Sequence, residues 1–131
     1  MRRTAFERLV AEALRGLPEE FRSKLVNLAV VVEDRPTRRD LQRAGLPPHV
    51  TLLGLYTGVP LTERGSNYGG VLPDKIVIFK APIEALCRTD EEVRRTVLET
   101  VRHEIGHYFG LGEAQLATHS PSKRTSRTTL S

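Results

Sequence analysis

The sequence predicts a chain of mixed helix and strand, and three observations carry that expectation. Two stretches set apolar residues at steps of three and four, the mark of one buried helix face. Three shorter runs are apolar or β-branched over strand length and are bounded by turn-forming residues. The chain has 131 residues and one cysteine, so it reads as a single domain able to bury roughly two-thirds of its unfolded surface without a disulfide.

The elements follow in order. Thr4-x-x-Glu7 reads as a capping box, and Phe6, Leu9, Val10, Ala13, Leu14 and Leu17 form an amphipathic stripe closed by Gly16, which predicts a helix over about 5–15. A short second helix is expected from Pro18. Strands are expected at Leu28 to Glu33, Thr51 to Tyr56 and Lys75 to Phe79. Gly58 to Gly70, with Pro60, Gly65 and Gly69 between, predicts a long loop. Its Glu63, Arg64 and Tyr68 could meet a substrate, the plainer alternative being a solvated loop.

The last helix is the most strongly patterned. Thr89 or Asp90 can cap it, Glu92 completes a capping box, and Asp90, Glu91 and Glu92 suit the positive end of the helix dipole. Val93, Val97, Leu98, Val101, Ile105 and Phe109 define an apolar side. At 100° per residue His103, His107 and Thr96 fall on the other side, with Glu104 at the border. Gly106 within the helix costs roughly 1 kcal/mol relative to Ala. Close approach of a substrate or strand would account for it, as would tight helix packing.

That helix carries His103-Glu104-Ile105-Gly106-His107, continued by Tyr108-Phe109-Gly110-Leu111-Gly112-Glu113. Residues four apart share a helix face, so both imidazoles can reach one zinc ion while Glu104 approaches a metal-bound water. Gly110 stands where helices often end in a left-handed residue, and Gly112 frees the returning chain, so Glu113 can swing back as a third ligand. Three protein ligands and one open position is the catalytic arrangement of zinc. In the metzincin pattern a histidine takes the place of Glu113 and a Met-turn follows, yet the only methionine here is Met1. In the thermolysin-like pattern a distant glutamate serves, yet Glu113 is the only acid after His107. His119 is the other downstream candidate, and Glu113 is preferred on reach. Tyr68, Tyr108 and His49 are open candidates to stabilise an oxyanion.

Composition bounds the setting. Lone Cys87 fits a reducing compartment and reads as a small apolar residue. Charges interrupt the N-terminal residues before any signal-peptide core, and no later run approaches membrane-spanning length, which predicts a cytoplasmic protein without membrane contact. Lys123, Arg124 and Arg127 account for all but one unit of the net charge of +4. Residues 1–119 therefore read as the domain and 120–131 as a basic, Ser/Thr-rich tail without structure. Three charges without interleaved aromatics predict no specific nucleic-acid binding.

Between Phe6 and Leu116 the chain resembles the small bacterial zincin-like metallopeptidases, or minimal zincins. The likeness lies in Leu-Leu-Gly-Leu-Tyr-Thr-Gly (52–58), Pro-Leu-Thr-Glu-Arg-Gly (60–65), Leu-Pro-Asp-Lys-Ile-Val-Ile-Phe (72–79) and the histidine motif (103–113). The resemblance implies an α+β fold in which a small sheet packs against the active-site helix with additional helices. It implies zinc held by His103 and His107, with an acidic third ligand that maps to Glu113. The expected activity is zinc-dependent hydrolysis of a peptide or protein substrate with Glu104 as general base. The alternatives are a zinc-binding protein of the same fold that cleaves nothing, and a zinc hydrolase acting on another bond.

Overall fold

The computed structural model describes residues 1–25, 27–58, 74–110 and 128–129. Its elements are α1 (Arg3–Arg15), α2 (Glu19–Arg22), β1 (Leu28–Glu33), α3 (Arg38–Arg43), β2 (Thr51–Leu52), β3 (Gly54–Thr57), β4 (Asp74–Phe79), α4 (Lys80–Ala85), α5 (Asp90–Tyr108) and β5 (Thr128–Thr129). This is an α+β fold. Strands β1, β4 and β3 form a three-stranded sheet in that order, with β1 parallel and β3 antiparallel to β4.

Strand β4 shows why the layers stack as they do. Successive side chains of a strand point to opposite faces, and here both faces are buried: Ile76 and Ile78 join one core, Val77 and Phe79 the other. The first core is closed by Phe6, Val10 and Ala13 of α1 and by Val93, Val97, Val101 and Ile105 of α5. Across the sheet Leu41 of α3 packs with Leu52, Leu55, Val77 and Phe79. The sheet is thus held between α1 and α5 on one side and α3 on the other.

Several local expectations change. Helix α1 begins two residues earlier than its pattern suggested; Arg2 is its N-cap and gives no side-chain bond, so Thr4 lies inside the first turn and caps nothing. Burial of Phe6, Val10 and Ala13 governs that start more than capping does. Helix α3 was not anticipated, although Thr37 and Asp40 form a reciprocal capping box. Helix α4 was not anticipated either; Pro82 sits in its first turn, where a missing amide proton costs little. At α5 Thr89 is the cap and accepts the amide of Glu92 at 3.1 Å, but the Glu92 carboxylate accepts the amide of Arg88 at 2.8 Å, one residue before the expected partner.

The single strand expected at Thr51 to Tyr56 divides at Leu53. Leu52 and Leu55 face α3, whereas Leu53 and Tyr56 belong to the core beneath α5. A Cβ on Gly54 would also point at α5. Leu53 and Gly54 therefore look to the same side, a one-residue slip of the alternation of the kind that a bulge produces. In the stretch read as an unstructured tail, Thr128–Thr129 pair in parallel with Thr51–Leu52. Among the described residues no helix is long and apolar enough to cross a membrane.

Candidate metal centre

Helix α5 contributes 10 buried residues, and its C-terminal half presents the motif. His103 and His107 lie one turn apart and partly buried, with ring centroids 4.8 Å apart and planes inclined at 67°. Their Nε2 atoms are 3.2 Å apart. Two imidazole nitrogens bound to one tetrahedral zinc at 2.0–2.1 Å should stand about 3.3–3.4 Å apart. The pair has the bite that a shared zinc requires, and each ring keeps Nδ1 to be oriented by a neighbour.

Glu104 follows His103 and turns 100° away from it, toward the sheet. It is completely buried. Tyr108, one turn on, is buried as well, its ring edge-on to Tyr56 of β3 at a centroid distance of 6.0 Å. Glu104 and Tyr108 thus line the seam between α5 and β3, while the two histidines occupy the adjoining face. Thr100 in the same seam donates its hydroxyl to the Thr96 carbonyl at 2.7 Å. Thr96 itself is buried, and its Oγ1 lies 3.4 Å from Sγ of Cys87, which is partly buried against the core as a small apolar residue would be.

The helix stops in the way its sequence suggested. Phe109 is the C-cap, and Gly110 follows at φ 79°, a left-handed conformation that favours glycine. Glu113 and His119, the two candidates for the third ligand, lie outside the described residues, as do Glu63, Arg64 and Tyr68. Among the described residues no group of three or more His, Cys, Asp or Glu is disposed to hold a metal ion. Of the oxyanion candidates, His49 is exposed in the turn after α3, and Tyr108 is a packing residue of the core. The residue that sequence reasoning passed over is Gly54. A glycine inside an otherwise apolar strand run signals a bulge or a close backbone approach, and both occur there.

The family model for zincin-like metallopeptidases matches residues 25–122. Among solved structures, the chain is similar to a conserved hypothetical protein from Thermus thermophilus, with 26% identity and a TM-score of 0.54 over 90% of this chain and 99% of that one. No curated protein matches.

Proposed function

The chain belongs to the zincin-like metallopeptidase family, and from that premise we propose that it is a zinc-dependent peptidase in which His103, His107 and Glu113 hold the metal and Glu104 is the general base. The observation that carries this reading is the 3.2 Å separation of the two Nε2 atoms, with a buried carboxylate on the very next residue after His103. Zinc bound there would polarise a scissile carbonyl and make its bound water acidic near neutral pH.

The remaining work falls to the chain. Glu104 takes the proton of the attacking water and passes it to the leaving amine, as a carboxylate fixed beside the reacting atoms can do. Its burial between α5 and β3 limits the rotamers it can adopt, which keeps the acceptor oxygen in place between the two proton transfers. Strand β3 is one of the two outer strands of the three-stranded sheet among the described residues. An extended peptide paired along it would run past Glu104, with alternate side chains turned toward and away from the site.

The same burial favours a second reading, a zinc-binding protein of this fold that does not cleave, because a wholly covered carboxylate must still reach a water molecule. Zinc-loaded wild type offered a diverse peptide library separates the two. Cleavage that is lost in Glu104→Gln with zinc retained supports the peptidase; no cleavage of any peptide by wild type supports the binder.

A further inference from the structure

We infer that Gly54 is a positioning residue: by bringing bare backbone against the side chain of Glu104, it sets where that carboxylate stands relative to the two histidines. The inference rests on the reading of Glu104 as general base. A Cβ built on Gly54 would lie 3.1 Å from Cγ of Glu104, 3.3 Å from its Oε2 and 2.8 Å from Cγ2 of Thr100. Carbon atoms in comfortable contact stand about 3.5–4.0 Å apart, so any larger residue at position 54 displaces what it meets.

The backbone does not explain the glycine. The left-handed glycines of the described residues are Gly45, Gly58 and Gly110, and Gly54 is not among them. Alanine could adopt the same conformation, so the constraint on position 54 is the contact itself. The slip between Leu53 and Gly54 turns this position toward α5 when regular alternation would have aimed it at α3.

Glu104 is the member of the contact best able to yield. Helix α5 is fixed by Val97, Val101 and Ile105 in the core, and β3 by its pairing with β4. An added methyl group therefore acts mainly on the Glu104 side chain and on Thr100. Displacement of a catalytic group by 1 Å can cost about 100-fold in rate, and a shift of a few tenths of an ångström should cost on the order of tenfold.

The test compares wild type, Gly54→Ala, Thr100→Ser and the double variant. Thr100→Ser removes Cγ2, and with it the shortest of the three contacts, but keeps the hydroxyl bonded to Thr96. The double variant therefore leaves the two Glu104 contacts in place and relieves the one most able to disturb folding. The expected result is full zinc content in all four proteins, near-normal activity in Thr100→Ser, and kcat lowered about tenfold or more with KM changed by less than about twofold in both proteins carrying Gly54→Ala. A crystal structure of the double variant without metal should show the Glu104 carboxylate moved off its wild-type position. Recovery of wild-type kcat in the double variant would assign the effect to Thr100 and overturn the inference. So would an unmoved carboxylate. If wild type cleaves no peptide, the peptidase reading fails by itself, and the position of Glu104 in the variant structure still decides the role of Gly54.

Discussion

The Nε2 atoms of His103 and His107 stand 3.2 Å apart on neighbouring turns of α5, near the separation that one tetrahedral zinc imposes on two imidazoles. Either ring alone is a weak ligand at a helix surface. Together, with a third side chain, they make a site, so His103→Ala and His107→Ala are each expected to lose stoichiometric zinc while keeping the circular dichroism of the wild type. Elemental analysis after gel filtration checks this, and full zinc in either variant would discard the ligand pair.

The third ligand is a separate question. Gly110 does adopt the left-handed conformation that lets the chain leave the helix and turn back. Glu113 lies three residues further on, and His119 nine. Competition with a chromophoric chelator is expected to show much weaker zinc binding in Glu113→Ala and unchanged binding in His119→Ala. The opposite ranking gives the position to His119.

The sequence was most legible where a single periodicity governed one element. Strand β1 spans the Leu28 to Glu33 run that its β-branched residues marked, and α5 begins at Asp90 behind a Thr89 cap. Residues 51–57 were harder, because the slip at Leu53 and Gly54 depends on what covers each face of the sheet, and α3, which covers one of them, went unseen. A helix wheel likewise put Thr96 with the histidines without showing that Cys87 would pack against it. The motif identified the site's residue types, but the burial of Glu104 and its contact with Gly54 are tertiary facts. They arise from a strand brought close by its pairing with β4, in which Gly54 stands opposite Ile78, 24 residues further along the chain.

Glu84 gives the structure a measurable acid dependence. Its carboxylate accepts from Nζ of Lys80 at 2.6 Å and from the N-terminal ammonium at 2.9 Å. These bonds, Lys80's first, hold its pKa below the ordinary 4.5. A carboxylate with a lowered folded pKa stabilises the fold above the unfolded value and loses that contribution as pH falls through the folded one. Glu84→Gln should therefore melt below wild type at pH 7, by the equivalent of at most about 1 kcal/mol for so accessible a pair. The gap should close as pH is lowered from about 5 toward 3. A gap that widens in acid contradicts the assignment.

Pairing of Thr128–Thr129 with Thr51–Leu52 ties the end of the chain to the strand that leads into Gly54. A two-residue ladder contributes on the order of 1 kcal/mol net, equivalent to about 4 °C in a domain of this size. Removal of residues 128–131 should lower the melting temperature by no more than that and leave zinc content unchanged. A fall of 10 °C or more would mean that the C-terminal residues do far more than close one short ladder.

Helix α5 carries the two proposed histidine ligands on one face and much of the first core on another, so metal binding and folding share a single element. Zinc that binds the folded chain and not the unfolded one stabilises it by mass action, by about 2.7 kcal/mol at a free concentration 100 times the dissociation constant. For 131 residues that corresponds to a rise of roughly 10 °C in Tm. Calorimetry of wild type with zinc and after chelation should show such a difference. In His107→Ala the two traces should coincide, because the pair that grips the metal is broken while the buried face of α5 is intact. Should the variant gain as much as wild type, the stabilising zinc sits elsewhere and the site on α5 is misassigned. If neither gains, this fold holds no zinc with useful affinity, and the hydrolytic role of Glu104 goes with it.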